Sequence, residues 1–119
     1  MMLDWSEYER QIFTAIGEIG KVSADTVHAV MSLNAAGEKT GALDPKTREL
    51  IAIAVAATRQ CDGCIAVHMD AAVKKGATRE EIVEALGVAI AVNAGTALVY
   101  SCRALEAYKA MLPSDASAA

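Results

Sequence analysis

Two cysteines and a histidine carry the chemistry this sequence offers. They stand in the run Cys61-Asp62-Gly63-Cys64-Ile65-Ala66-Val67-His68. On a helix, residues three, four and seven apart share a face, so Cys61, Cys64 and His68 project the same way. Cys64 and His68 are one turn apart, which lets the imidazole, directly or through one water, take the thiol proton. The thiolate is the reactive species, and a nearby base or helix N-terminus favours it. Cys64 also falls in the first turn of its expected helix, where free N–H groups and the macrodipole favour an anion. These features mark Cys64 as the nucleophile and Cys61 as its partner thiol, because a C-x-x-C pair at a helix start can close a short disulfide. A peroxide would oxidise Cys64 to a sulfenic acid and Cys61 would condense with it. An external reductant would then restore the dithiol.

Glu49 is the fourth candidate, twelve residues before Cys61. If the two helices fold back as an antiparallel hairpin, Glu49 lies ~17 Å along one arm and His68 ~10 Å along the other, at about 1.5 Å per residue. Long side chains and a water could bridge that difference. A carboxylate beside the imidazole would fix its tautomer and raise its basicity. Each assignment has a plainer rival. Glu49 could be a first-turn acid that complements the helix dipole. Cys61, Cys64 and His68 could bind zinc, but a structural site wants four protein ligands, and neither Cys102 nor His28 lies at a characteristic spacing to complete it. Cys102, in an apolar stretch beside Tyr100, reads as an ordinary buried cysteine. His28 reads as a partly exposed helix residue and Asp70 as a solvated one. The Met and Val positions at helical spacing read as core, so no cofactor and no metal are expected.

The elements that must position these groups are all helical. Tyr8, Ile12, Ala15, Ile16 and Ile19 follow helical spacing, which predicts a first helix over residues 4–19, ended by Gly20. Ser23 or Asp25 would cap a second helix that ends near Gly37, and a polar loop follows. Asp44-Pro45 is a start signal, N-cap then first helical position, for a third helix over residues 45 to about 59. Its stretch 50–57 is apolar on all sides, the mark of a buried helix. The cysteine motif opens a fourth helix over residues 63–75, stopped by Gly76. Thr78 and Glu81 form a capping box that starts a fifth helix running to about Val92. Asn93 to Gly95 read as a turn into a sixth helix ending near Met111. The expectation is therefore an all-α bundle of about six helices, one domain over residues 1–112, with a disordered tail over residues 113–119.

Bulk properties narrow the classes of function. The chain has 119 residues, 54% hydrophobic but only 4% aromatic, so small aliphatic side chains supply the apolar content and allow close helix packing. A net charge of −4 with no basic cluster argues against nucleic acid as a partner. The N-terminal stretch has no apolar core of a secretory signal, and three cysteines make an odd count, so a structural disulfide framework is not expected and a cytoplasmic location is. Residues 85–102 carry no charge, close to the ~18 residues that raise a membrane-span question. Asn93 and Gly95 interrupt the run and the Thr78 cap starts its helix well before it. No membrane partner is expected, and the run reads as core or subunit interface.

Together, Glu49, Cys61-x-x-Cys64-x-x-x-His68 and the following Gly76-Ala77-Thr78-x-x-Glu81-Ile82 resemble the alkylhydroperoxidase D core of the carboxymuconolactone decarboxylase-like family. The likeness covers residues 44–105. It implies an all-helical domain that assembles as trimers or hexamers and a hydroperoxide substrate reduced through the cysteine pair. It also implies an external dithiol or disulfide reductant. On that resemblance Cys64 is the peroxidatic cysteine, Cys61 the resolving cysteine and proton donor, His68 the relay base and Glu49 its acidic partner. Some members of the family place a further histidine between the two cysteines. Here that stretch is Asp62-Gly63, which implies a shorter relay. The family's decarboxylase branch lacks the cysteine pair, so lactone chemistry is not expected. A redox adaptor or sensor without turnover is the alternative that the same dithiol would serve.

Overall fold

The helix starts at Asp4, Asp44, Cys61 and Thr78 are each capped by a side chain that accepts a first-turn N–H. In the computed structural model, which describes residues 2–114, the chain forms five helices. They are α1 (Trp5–Val22), α2 (Ala24–Glu38), α3 (Pro45–Arg59), α4 (Asp62–Lys74) and α5 (Arg79–Met111). Asp4 caps α1 by accepting from the Glu7 N–H (3.2 Å), and Asp44 caps α3 by accepting from the Thr47 N–H (2.8 Å). Thr78 and Glu81 close the expected capping box at the start of α5. Glu81 serves twice: one carboxylate oxygen takes the Thr78 N–H (2.9 Å) and the other pairs with Lys46 at the start of α3 (2.8 Å). Gly76 takes φ +82° after α4, the left-handed conformation that ends a helix without steric cost.

The sixth helix is not there. Residues 93–95 continue α5 without a break, so the segment is one helix of 33 residues. Asn93 is absorbed rather than breaking the helix. Its Nδ2 donates to the Ala89 carbonyl one turn back (2.8 Å) and to Thr58 Oγ1 on α3 (2.9 Å). A tertiary bond thus overrides a turn-forming propensity. The expected disorder of the tail falls, for residues 115–119, outside the described residues.

Packing centres on α3, which lies against both α4 and α5, while α1 lies against α2 and α4. Ile53 and Ala56 of α3 and Ala66 and Ala72 of α4 are the buried apolar side chains. Small residues at these crossings let the backbones approach closely. The expectation that 50–57 is buried all round is corrected: Ile51 and Val55 are about half exposed. The Met and Val positions read as core include exposed ones too, among them Val30, Met31 and Val73. Residues 85–102 are likewise uncovered within the chain, with Val88, Ile90, Val92, Leu98 and Val99 all more than half exposed. By length and composition α5 could cross a membrane. The radius of gyration is 20.5 Å, against about 13–14 Å for a compact chain of this length. The accessible surface is 9136 Å², against about 6,100 Å² for a folded monomer of this mass.

Two predictions concern the caps. Thr78→Ala should cost about 1 kcal/mol of folding stability, read by denaturant titration, because an N-cap bond is lost where α5 begins. Asp44 is held below the usual carboxylate range by the Thr47 backbone N–H and hydroxyl. Glu81 is held low by Lys46 and then by Thr78. Groups with a lowered folded-state pKa contribute stability above their unfolded value and lose it as pH falls. Thermal stability should therefore drop below about pH 4, and less steeply in a Glu81→Gln variant.

Candidate active site

The site is built on the turn between α3 and α4. Gln60 adopts the left-handed conformation (φ 55°, ψ 48°), which costs a side-chain-bearing residue roughly 1–2 kcal/mol. The turn is held by the Gln60 and Cys61 N–H groups, which reach back to the last carbonyls of α3; Cys61 donates to Ala56 O at 3.1 Å. This reversal folds α4 back along α3.

Cys61 is the N-cap of α4, and its Sγ accepts from the Cys64 N–H at 3.2 Å. The sulfur thus occupies the place a serine or aspartate oxygen takes at other helix starts. Cys61 and Cys64 are joined as a disulfide, with Cα atoms 5.3 Å apart. Cys64 is exposed and Cys61 half-buried. Cys64 stands within the first turn, where a sulfur anion meets unpaired N–H groups. Gly63 lies against α1, and a Cβ there would already touch Ile12 at 3.5 Å. That is an ordinary van der Waals contact, so Gly63 faces α1 while Asp62 beside it is exposed.

The expected pairing of Glu49 with His68 is present and direct. His68 Nδ1 and Glu49 Oε2 are 2.8 Å apart, and no water is needed to span the hairpin. The side chains are 14% exposed for Glu49 and 25% for His68, so water competes little for the bond. A carboxylate only accepts, so Nδ1 donates, and in the neutral imidazole that leaves the lone pair on Nε2.

One residue at the site was missed. Lys75 Nζ donates to Glu49 Oε1 at 3.4 Å, so the carboxylate is held from both sides. The rise per residue could have found it. Along α4, His68 stands ~10 Å and Lys75 ~20 Å from the turn, and Glu49 at ~17 Å on α3 falls between them. His68, Ala72 and Lys75 also share a helix face, and Ala72 is fully buried between the two polar groups.

The remaining candidates lie apart. Cys102 is exposed on α5, which corrects the expectation of burial; its thiol points to the Leu98 carbonyl (3.9 Å). Among the described residues nothing buries that face of α5. His28 is exposed on α2. Asp70 pairs with Lys74 one turn on (2.8 Å). Among the described residues no group of three or more His, Cys, Asp or Glu side chains is arranged to hold a metal ion.

Comparison with known proteins places this arrangement. Residues 24–107 match the carboxymuconolactone decarboxylase family. An uncharacterized protein of Haemophilus influenzae is 48% identical over 108 residues, 91% of this chain and 96% of that one. An uncharacterized protein of the cox locus of Paracoccus denitrificans is 41% identical over 91 residues, 76% of this chain and 82% of the relative. The apo crystal structure of a carboxymuconolactone decarboxylase family protein from Legionella pneumophila superposes with a TM-score of 0.70. It is 42% identical and the match covers 88% of this chain and 94% of that one. The chain belongs to the carboxymuconolactone decarboxylase family and has a core of the alkylhydroperoxidase D type.

Proposed function

We propose that the chain is a thiol-dependent peroxidase that reduces hydroperoxides through Cys64 and Cys61. The observation that carries this reading is the Glu49–His68 hydrogen bond, which prepares an imidazole base on the same helix face as the cysteine pair. Starting from the dithiol, His68 takes the Cys64 proton, and the thiolate attacks the terminal oxygen of ROOH. The O–O bond breaks, Cys64 becomes a sulfenic acid, and RO⁻ leaves as ROH with the proton held by the relay. The Cys61 sulfur then attacks the sulfenic sulfur, the S–O bond breaks, and water leaves. That produces the disulfide present in the structure. An external dithiol reduces it by exchange at a sulfur, and the exposed Cys64 is the accessible one. Such a cycle needs a reducing compartment, and the cytoplasm supplies one.

We further propose that the working form is a homo-oligomer assembled through α5. Support comes from the surface: about 3,000 Å² more is accessible than a compact monomer of this mass would leave, an excess of the size that obligate interfaces bury. The exposed Leu98, Val99 and Tyr100 stand on one stretch of α5, and a second copy of the same helix would cover them. Asn93 turns its amide to Thr58 of α3 in the middle of the apolar run, so one side of that run is already spoken for by a polar contact within the fold.

In an assay with cumene hydroperoxide and a small dithiol reductant, Cys64→Ser should abolish turnover. With the reductant left out, Cys61→Ser should consume one equivalent of peroxide and leave a sulfenic acid trappable by dimedone. His68→Ala should lower kcat/KM by about 10²-fold and Glu49→Gln by about tenfold. Wild-type turnover no greater than that of Cys64→Ser would leave only a redox adaptor. Sedimentation in detergent-free buffer should give a multiple of 12.4 kDa, and Leu98→Glu should shift it toward one chain; a wild-type monomer contradicts the assembly.

A further inference from the structure

The carboxylate of Glu49 has room to leave His68. Beside it, between the start of α3 and the end of α4, lies an open cleft of about 510 Å³ whose wall includes Asp44, Arg48, Glu49 and Lys75. A glutamate held at one oxygen on the edge of such a space can rotate about its last torsion and take up solvent or Arg48 instead. The bond to Nδ1 uses only Oε2. Oε1 takes no part in that bond, and among the described residues Lys75 is the side chain that donates to it.

Lys75 is itself placed by the backbone. It is the C-cap of α4, at φ −91° and ψ 8°, and its N–H reaches the carbonyls of Ala71 and Ala72 at 3.1 Å each. The next two N–H groups fold back as well, Gly76 to Val73 (3.0 Å) and Ala77 to Ala72 (3.0 Å). Gly76, at φ +82°, makes that closure possible. The helix end is a hydrogen-bonded hook that fixes the Lys75 Cα one turn beyond Ala72, on the face that carries His68.

We propose that Lys75 is a positioning residue: it clamps the second oxygen of Glu49, and so fixes the carboxylate plane and the His68 tautomer that leaves Nε2 unprotonated toward the cysteines. Lys75 touches no reacting atom in this scheme; it acts through Glu49. The pair is part-exposed, with Lys75 at 39% and Glu49 at 14%, so its effect is that of a screened ion pair rather than a buried one. The kinetic consequence rests on the peroxidase reading above, whereas the tautomer does not.

The test is a long-range 1H–15N correlation of the imidazole nitrogens in the reduced protein above pH 8. The chain has two histidines, and the exposed His28 serves as the internal reference. Wild type and Lys75→Arg should show His68 as the Nδ1–H form. Lys75→Met should move the two His68 nitrogen shifts toward the average of both tautomers while those of His28 stay. In turnover, Lys75→Met should lower kcat by about two- to fivefold at unchanged KM, with Lys75→Arg restoring it. A His68 spectrum in Lys75→Met identical to wild type overturns the proposal whatever the activity. A shift in Lys75→Arg as large as in Lys75→Met overturns it too, because a retained charge would then not be what holds the carboxylate. If Lys75→Met does not fold, Lys75→Gln takes its place under the same criteria. A chain without peroxide turnover would sink the peroxidase reading and leave the tautomer result standing by itself.

Discussion

The hydrogen bond from His68 to Glu49 joins residues nineteen positions apart on two helices, and much of the architecture serves to bring them together. A part-buried polar pair is sheltered from water only if its surround is closely packed. That surround is the α3–α4 hairpin. The left-handed Gln60 reverses the chain, Ile53 and Ala56 pack from one side, and Ala66 and Ala72 allow close approach from the other. The same hairpin sets Cys61 as the cap of α4, so the turn that orients the imidazole also starts the helix that carries the thiols. The placement of the imidazole and that of the cysteine pair therefore share one local cause.

Beyond the hairpin, stability is spread thin. The buried apolar set of the described chain is one isoleucine and three alanines. At about 25 cal/mol per Å² such a set offsets little conformational entropy, and a domain of this size normally closes a larger core. The long apolar α5, packed on α3 along one side and uncovered elsewhere, is where the missing burial would come from in an assembly. On that view the α3–α5 contact, with its Asn93–Thr58 bond and the Lys46–Glu81 pair, connects the assembly surface to the helix that bears Glu49.

What the sequence shows by itself is what is decided locally. The caps at Asp44 and Thr78 and the stop at Gly76 each depend on a few neighbouring residues, and each stands as expected. Residues 45–59 form the third helix for the same reason. The turn expected at Asn93 failed because a propensity is a local quantity, while the Thr58 hydroxyl that takes up the asparagine lies 35 residues away. Cys102 and the run 85–102 are not buried within the chain for a different reason. Hydropathy says that a surface seeks cover, not whether that cover comes from the same chain. Lys75 lay within reach of simple helix arithmetic, but a lysine at a helix end has so ordinary a role beside the dipole that its charge does not by itself mark a site.

A single-turnover experiment addresses the central claim most directly. Fully reduced protein is mixed with one equivalent of cumene hydroperoxide per chain, and the protein mass and the organic product are measured together. The result expected is one equivalent of cumyl alcohol, a loss of two hydrogens from the protein, and a Cys61–Cys64 bond with Cys102 still a thiol. Peroxide left intact beside a reduced pair, or oxidation that falls on Cys102 instead, would contradict it.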